Sequence, residues 1–595
     1  MGGICGWIGT GGPPPGPPGR MRDAMLACLA HRGGPAWLDW PSVAGASSDP
    51  SGGVVADSRF NTPEALNEAW SSWSSDAAAF ASRLSGSFAV AALDARRGVL
   101  LLCRDRLGER PLYYVASPAG VAFASEIKAL RAAGAVPDRA LLPEALDAYL
   151  AFTHVPAPWT MHAAVRKVPA GHCVTFDLPR LADGRERAEA SIPYWRLPAR
   201  VGESASPDRM LGMLDEALGR LLPVDGRVAA FLSGGLDSSL VAALAVRAGA
   251  RPPTFTAGFG DSDRDELSHA RRVASLLKAD HHEVMLRDAD PDLVVRVIDQ
   301  LDEPMADAAT IPTYALAGRA ASHAPVVLTG DAADALLVGD HWFRRLRRLE
   351  RLEALPRAAR LLVPAAGALA GSKQRARYQE LVALLDLQPA ERYLRIREKW
   401  TWDERREIYA EPFRGRVDPG AAAGTYLLAP VGWGVGDTVD AAVRLDSMHG
   451  LPEDLLMKAD KMCGAHAVES RSPFLDQRFV EWAARLEIGL LLRGSSSKDL
   501  LKRAAAAVLP RDIVYRRKQG LRPPIGRWMK GSLRDLTERA FSPGLVGPQG
   551  IFDAGALARL KRRFETEPPT SALDGKVWQI VAFQTWWLRA CEDDR

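Results

Sequence analysis

Short apolar segments alternate with helical patterns through the middle of the chain. Four of these segments, residues 227–232, 254–259, 282–286 and 326–328, have the length of strands, and helix-length stretches separate them. This alternation is typical of a parallel sheet that helices cover on both faces. The sequence therefore predicts an α/β domain, which a mostly helical part rich in Ala, Leu and Arg continues beyond residue 340.

The first 195 or so residues follow a different pattern, with short strands and frequent turns. Segments 87–93, 99–103 and 173–176 predict strands. Residues 11–19 contain five prolines and predict a loop. Because residues 198–207 have the composition of a linker, the predicted domains are residues 1–197 and 208–595.

Composition and charge narrow the class of protein. The chain has 595 residues, 76 of them basic and 72 acidic, and this balance argues against a nucleic-acid partner. The six cysteines form no C-x-x-C motif, which is typical of a reduced, cytoplasmic enzyme. No apolar run approaches the ~20 residues of a membrane span, so none is predicted.

Residues 233–239, Ser-Gly-Gly-Leu-Asp-Ser-Ser, lie between the first apolar segment and a helical pattern. Glycines allow backbone N–H groups to approach an anion, and a helix N-terminus adds partial positive charge. Serine hydroxyls can donate to phosphate oxygens, and Asp237 can hold a magnesium ion. An ordinary strand-to-helix turn is the alternative, but the concentration of Ser, Gly and Asp favours a phosphate-binding loop other than a Walker A motif.

Further motifs follow in a fixed order along the chain. They are residues 105–114, 123–130, 167–172, 302–304, 328–334, 458–462, 469–476 and Lys498. Together with the loop they resemble asparagine synthetase and its homologues, which form amide bonds after adenylating a carboxylate. The resemblance implies a degenerate Ntn-type, glutaminase-like αββα sandwich (α+β), followed by an ATP pyrophosphatase (PP-loop) α/β domain with a helical C-terminal part.

The resemblance also implies that ATP and Mg²⁺ are the cofactors. The residues expected at ATP are Leu232, Ser233, Gly234, Gly235, Leu236, Asp237, Ser238, Ser239, Ala257, Thr329 and Gly330. Asp237 and Asp334 are the expected magnesium ligands, although Asp334 also suits a helix N-cap.

Three residues are implied in catalysis. Lys498 is expected to stabilise charge at the α-phosphate, with a surface lysine at a helix start as the alternative. Asp331 is the candidate base for the attacking amine, with a loop-capping or second magnesium role as the alternative. Glu469 is a supporting candidate, and an ion pair with Arg471 explains it equally well.

The departures from the family pattern concern the amino-terminal half. Glutamine-hydrolysing members carry Cys directly after the initiator Met, whereas position 2 here is Gly. The register of residues 3–6 places Cys5 where the family has a small residue, and the glutamine-binding segment is altered at residues 56–61. The region that should supply an acidic anchor for the glutamine amine is shortened around residues 69–79. We therefore expect an inactive glutaminase domain; processing that exposes Cys5 is the alternative.

Without glutamine hydrolysis the amine must come from another source. The pattern Asp57-x-Arg59 resembles the lasso peptide cyclases, which join a peptide's N-terminal amine to an Asp or Glu side chain as a macrolactam. A precursor peptide is then the substrate, and a leader peptidase and a peptide-recognition protein are candidate partners. Ammonia-dependent asparagine synthesis, β-lactam-type closure and a non-catalytic scaffold are the alternatives.

Two basic segments are attributed to solvation. The run at residues 344–351 suits an acidic peptide or partner, but a solvated helix face explains it better. The segment Arg517-Lys518-Gln519-Gly520 is assigned no role, because solvation explains a basic loop there equally well.

Overall fold

The computed structural model describes residues 2–10, 17–40, 52–58, 76–136, 140–184, 189–260, 266–356, 383–427 and 438–591. Two features that the sequence analysis used, Arg59 and most of the shortened region after residue 61, lie outside these residues. Part of the proline-rich loop, residues 11–16, does so as well.

Two stacked sheets form the amino-terminal half. Their strands are β1 Ile4–Gly9, β2 Ala36–Trp40, β3 Gly52–Ser58, β4 Phe88–Asp94, β5 Val99–Arg104, β6 Tyr113–Ser117, β7 Gly120–Ala124, β8 Arg166–Lys167, β9 His172–Asp177 and β10 Glu189–Pro193. The strand orders are β2-β1-β7-β6-β8 and β10-β9-β5-β4-β3. Alternate residues of both sheets, such as Ile4, Leu102 and Phe123, fill the core between them.

Helices cover the outer faces of these sheets. The elements are the helices Pro18–Leu29, Ala77–Arg83, Ile127–Ala132, Pro143–Phe152 and Leu178–Ala182, and the 3₁₀ turn Ala30–Arg32. Met25 packs on the outer face of the first sheet with Cys5, and Phe80 packs on the outer face of the second with Cys103. The predicted αββα sandwich is confirmed.

A parallel sheet is the centre of the second half. Its strands are β11 Val228–Phe231, β12 Thr254–Gly258, β13 His281–Met285, β14 Val326–Leu328 and β15 Glu469–Arg471, and a short hairpin β16 Leu492–Arg493 and β17 Ser496–Ser497 follows. The order is β13-β12-β11-β14-β15, and every pair in it is parallel. The four predicted strands are confirmed; β15 was missed because three residues carry no recognisable pattern.

The remainder of this half is helical, as the sequence predicts. The helices are Pro207–Leu221, Leu236–Arg247, Leu267–Leu277, Pro291–Leu301, Thr310–Ala321, Ala333–Leu336, His341–Glu353, Pro389–Arg397, Trp402–Ile408, Glu411–Arg414, Ala421–Leu427, Thr438–Leu445, Met457–Gly464, Gln477–Arg485, Ile488–Leu491, Asp499–Ala505, Arg511–Val514, Ile525–Lys530, Arg534–Ala540, Pro543–Gln549, Ala554–Thr566 and Ser571–Cys591, with a π-helix at Asp446–Leu456 and a 3₁₀ turn at Pro473–Leu475. Among the described residues, no helix is both long and apolar enough to cross a membrane.

Buried ion pairs join the two halves. Nη1 of Arg104 donates to Oε1 of Glu453 at 2.7 Å, and Nη2 of Arg32 donates to Oδ1 of Asp460 at 2.8 Å. Nη1 of Arg110 reaches the same Asp460 oxygen at 3.2 Å. These side chains are almost fully buried, so the halves share one polar core rather than a loose contact.

Candidate functional site

The strand order of the parallel sheet places a crevice beside β11. From β11 the chain continues outward to β12 and β13, whereas β14 pairs with the other side of β11. Ligands bind at such a point of reversal, outside the carboxyl ends of the strands. The Ser-rich loop follows β11, and the Thr329–Asp331 segment follows β14, so the two predicted sites meet there. They line one cavity of about 980 Å³.

The loop after β11 is held in shape by its own small residues. Gly234 has a φ of 68°, and a Cβ there would lie 2.4 Å from the carbonyl carbon of His269, so no other residue fits. The hydroxyls of Ser233 and Ser238 lie 3.0 Å apart, and the Gly235 N–H donates to Ser233 Oγ at 3.2 Å. The helix Leu236–Arg247 starts directly after Gly235, which turns its N-terminus toward the cavity.

Lys498 connects the two candidate metal ligands. Its Nζ lies 2.7 Å from Oδ2 of Asp237 and 2.7 Å from Oδ1 of Asp334. Lys498 is 5% exposed and not a surface lysine, and its backbone has a φ of 54°, a strained conformation typical of functional positions. Asp334 is the second residue of the helix Ala333–Leu336, so the N-cap alternative does not apply.

The ionisation of the two carboxylates differs. Burial raises the pKa of Asp237, although the Lys498 ammonium opposes the effect. Burial acts on Asp334 in the same direction, but the ammonium groups of Lys498 and Lys518 outweigh it and lower the pKa of Asp334 to about 2. Both side chains therefore supply acceptor oxygens at the phosphate end of the cavity.

The donor set fits magnesium bound together with phosphates. Oδ1 of Asp237 is buried and has no hydrogen-bond partner in the described part of the chain. Within those residues, no three His, Cys, Asp or Glu side chains are arranged to hold a metal alone. Mg²⁺ prefers one or two carboxylates supplemented by substrate phosphates, and Asp237 with Asp334 would provide those carboxylates. When bound there, Mg²⁺ would neutralise charge on the phosphates of ATP.

The segment that was attributed to solvation belongs to this site. Nζ of Lys518 lies 2.9 Å from Oδ1 of Asp334 and 2.7 Å from Oδ1 of Asp340, so this lysine, to which the sequence analysis assigned no role, contacts a candidate metal ligand. Arg516, two residues earlier, pairs with Glu266 and donates to the carbonyl oxygen of Gly234 at 3.0 Å. These cations approach the phosphate loop from a segment almost 300 residues away in the chain, which local pattern does not reveal.

A second charged cluster lines the same cavity. Nζ of Lys458 donates to Oδ2 of Asp307 at 2.6 Å, and it also attracts Asp331 and Asp454 electrostatically. Burial raises the pKa of Asp331, while Lys458 and a hydrogen bond from Thr329 oppose this. The cavity thus has a phosphate end and a carboxylate-rich end.

Most of the predicted ATP residues line the cavity, whereas Gly234, Ser239 and Glu469 are not among its lining residues. Those at the cavity are Leu232, Ser233, Gly235, Leu236, Asp237, Ser238, Ala257, Thr329 and Gly330, with the catalytic candidates Asp331 and Lys498. Ser239 is fully buried in the first turn of its helix. Glu469 starts β15 beside Val326, at the amino edge of the sheet, and pairs with Arg471 at 3.0 Å and Arg110 at 3.2 Å. For Glu469 the structure matches the alternative, an ion pair with Arg471.

The basic run lies on the helix His341–Glu353. Its apolar residues Phe343, Leu346 and Leu349 are buried, and Arg344 lines the cavity. Arg347 pairs with Glu350 at 2.8 Å on the same helix. The interpretation of this run as a solvated helix face therefore does not hold for Arg344, which lines the cavity.

Comparison with known proteins identifies the family. The family model described as "Asparagine synthase" matches residues 209–588, and the model described as "Glutamine amidotransferase domain" matches residues 57–185. The chain belongs to the asparagine synthase family. Homologues in this family are ATP-dependent carbon–nitrogen ligases, and the enzyme class predicted from the sequence is confirmed.

Three relatives of this asparagine synthase family member are 25% to 29% identical to it over the aligned residues. A provisionally named glutamine-hydrolyzing asparagine synthetase of Mycobacterium tuberculosis is 29% identical over 85% of this chain and 76% of its own length. Asparagine synthetase 1 of Bacillus subtilis is 26% identical over 85% and 78%. The amidase chyE of Penicillium rubens is 25% identical over 84% and 75%. A solved regulatory enzyme of purine biosynthesis aligns over 32% of this chain and 37% of its own at 14% identity and a TM-score of 0.15, too low to bear on the fold.

Proposed function

We propose that this ligase forms a peptide macrolactam. In this proposal it adenylates an Asp or Glu side chain of a precursor peptide, releasing pyrophosphate. It then joins the activated carbonyl to the N-terminal amine of the same peptide, releasing AMP. The observation that carries the proposal is that Cys5, in the amidotransferase half, has no accessible thiol, although the cavity of the amide-forming half contains both a phosphate loop and a carboxylate-rich cluster.

The environment of Cys5 argues against glutamine as the nitrogen source. Its side chain is fully buried between β1 and the helix Pro18–Leu29, and burial raises the pKa of its thiol to about 12. A thiol acts as a nucleophile in its ionised form, which this environment suppresses. A Cβ at Gly2 would lie 2.6 Å from the carbonyl oxygen of Gly34, so that position has no room for a replacement side chain.

The contact between the halves offers poor passage for ammonia. It contains the buried carboxylate of Asp460 between the guanidinium groups of Arg32 and Arg110. Asp57, which falls in the altered glutamine-binding segment, is buried 3.7 Å from Arg32. Because charged groups that pair with one another fill this contact, the structure supports an amine that reaches the cavity from solvent.

The size of the cavity favours a peptide over a free amino acid. A volume of about 980 Å³ is at the upper end of the range for single small ligands, so it has room for ATP and a further substrate. Lys518, on its lining, is about half exposed, and the cavity therefore opens to solvent on that side. A folded peptide tail could leave through this opening.

The proposal is tested with a pool of linear peptides, each with a free N-terminal amine and one Asp or Glu. We expect ATP-dependent pyrophosphate release and a product lighter by one water, seen by mass spectrometry. The same peptides with an acetylated N-terminus should release pyrophosphate without the water loss. Pyrophosphate release with L-aspartate and ammonium, but with no peptide, would replace the proposal with ammonia-dependent asparagine synthesis; no release with any of these acids would favour a scaffold.

A further inference from the structure

At the carboxylate-rich end of the cavity, one carboxylate oxygen accepts no hydrogen bond from the residues that the structure describes. Lys458 directs its ammonium to Asp307, at 2.6 Å. Asp331 accepts a hydrogen bond from Thr329, and its backbone carbonyl accepts one from Ser472. Asp454 lines the same cavity, and its Oδ1 is buried without a hydrogen-bond partner in the part of the chain that the structure describes.

A buried carboxylate oxygen without a donor is costly unless a ligand supplies one. Asp454 lies in the π-helix Asp446–Leu456, one turn before Lys458. π-Helical turns are rare in proteins overall, but those that occur are frequently at functional sites. Gly450 and Leu451 of the same π-helix also line the cavity, so this element presents Asp454 to the space that a substrate would occupy. An ammonium group is a donor that fits a carboxylate oxygen without a hydrogen bond.

We infer that Asp454 binds the attacking amine in its ammonium form and takes the proton that the amine must lose before it attacks. This role rests on the proposed function for the identity of the amine. It assigns Asp454, in place of Asp331, as the catalytic base, and it leaves Asp331 as a neighbour of Lys458.

The proton balance of the step is simple. One proton passes from the ammonium nitrogen to Oδ1 of Asp454, and the freed lone pair forms the C–N bond at the acyl carbon. The bond between that carbon and the phosphate oxygen of AMP breaks, and AMP leaves with the electron pair. The second proton that the nitrogen loses goes to solvent or to AMP.

The charges around Asp454 suit this exchange. Burial and the negative charge of Asp307 raise the pKa of Asp454 to about 6. The positive charges of Lys458, Arg397 and Lys399 act in the opposite direction. A base whose pKa lies close to the working pH is ionised when the amine arrives and still holds a proton well enough to accept one. Amide formation should therefore fall as the pH drops below about 6, because Asp454 becomes protonated.

The test separates the two half-reactions in Asp454→Asn. Pyrophosphate release with the peptide pool, or with L-aspartate where no peptide is accepted, should stay within about threefold of wild type. Amide formation at pH 7 with the peptide amine, or with ammonium, should fall by roughly 10²–10⁴-fold, the usual contribution of a general base. Hydroxylamine, which is neutral at pH 7 and has no proton to lose before it attacks, should still give the hydroxamate at nearly the wild-type rate.

Matched variants identify the residue and guard against misfolding. Asp454→Glu should restore part of the amide formation, and Asp299→Asn, on an exposed carboxylate that pairs with Arg589, should behave as wild type. Hydroxamate formation by Asp454→Asn would show that its active site is folded. If that variant forms neither product, amide formation by Asp454→Glu distinguishes a misfolded variant from one that has lost only its base. Normal amide formation by Asp454→Asn, or the rescue pattern in Asp331→Asn instead, would overturn the assignment. Because the readout works with ammonium as well as with a peptide amine, failure of the peptide proposal does not hide the result.

Discussion

The Nζ atom of Lys498 lies 2.7 Å from Oδ2 of Asp237, so the cation and the carboxylate neutralise each other at the phosphate end of the cavity. Both side chains are also expected at ATP, one near the α-phosphate and one at magnesium. The contact therefore places the two charges next to each other. Nucleotide binding would exchange this pair for contacts with phosphate and metal, which limits the cost of keeping both charges in a buried site.

Asp237→Asn is expected to abolish most of the pyrophosphate release. The amide keeps the size of the side chain but removes the charge that is expected to hold magnesium, and losing one such interaction typically lowers the rate by roughly 10²–10³-fold. Asp215→Asn is the control, since Asp215 forms only an exposed pair with Arg247 at 3.2 Å. Nearly normal release by Asp237→Asn at saturating magnesium would show that another residue holds the metal.

Gly339→Ala should damage the same site without a large loss of stability. A Cβ at Gly339 would lie 2.1 Å from Oδ1 of Asp334 and 2.1 Å from Cε of Lys498, so these two side chains would have to move. A displacement on the order of 1 Å in an active site can cost roughly 100-fold in rate. The measurement is pyrophosphate release together with a thermal unfolding curve.

Gly415→Ala is the matched control for that substitution. Gly415 has an α-helical backbone, and a Cβ there meets nothing within 4 Å. Its activity and its unfolding temperature should match those of wild type. If Gly339→Ala is as active as this control, the relative placement of Asp334 and Lys498 is not critical.

The sequence predicted the parts of the site that depend on local pattern. The loop around Gly234 and the strand before it are encoded by neighbouring residues, and the structure has them where the pattern placed them. Lys518 and Asp454 were not recognised, because their roles depend on which distant segments the fold brings to the cavity. Glu469 shows the converse, since its motif suggested chemistry and the fold placed it in a buried ion pair.

Cys5→Ala should leave ATP-dependent amide formation unchanged. The thiol is buried, and raising its pKa to about 12 leaves almost no thiolate at neutral pH. Wild type and variant should release equally little glutamate from glutamine above the buffer blank. Glutamate release that disappears in the variant would show that the amidotransferase half is active.

Glu453→Gln should weaken the attachment of the two halves. Oε1 of Glu453 lies 2.7 Å from Nη1 of Arg104, Oε2 lies 3.2 Å from Nζ of Lys167, and all three side chains are buried. Removing one charge from a buried pair typically costs about 3–5 kcal/mol, because the partner charge stays in the interior. The free energy of unfolding should fall by that amount in denaturant titrations at pH 7. Glu538→Gln, at an exposed pair with Lys561, should change it by no more than about 1 kcal/mol.

The pH dependence of this difference checks its electrostatic origin. Burial alone would raise the pKa of Glu453, but Arg104 and Lys167 outweigh it, so the folded value lies below the ordinary 4.5. A carboxyl with a lowered pKa contributes stability that is fully present above its unfolded value and is lost as the pH falls through the folded value. The gap between wild type and Glu453→Gln should therefore be constant from pH 7 to about 5 and shrink at lower pH. A gap that stays constant under acid conditions would mean that the glutamine fails for steric reasons, and that the ion pair with Arg104 is not what joins the halves.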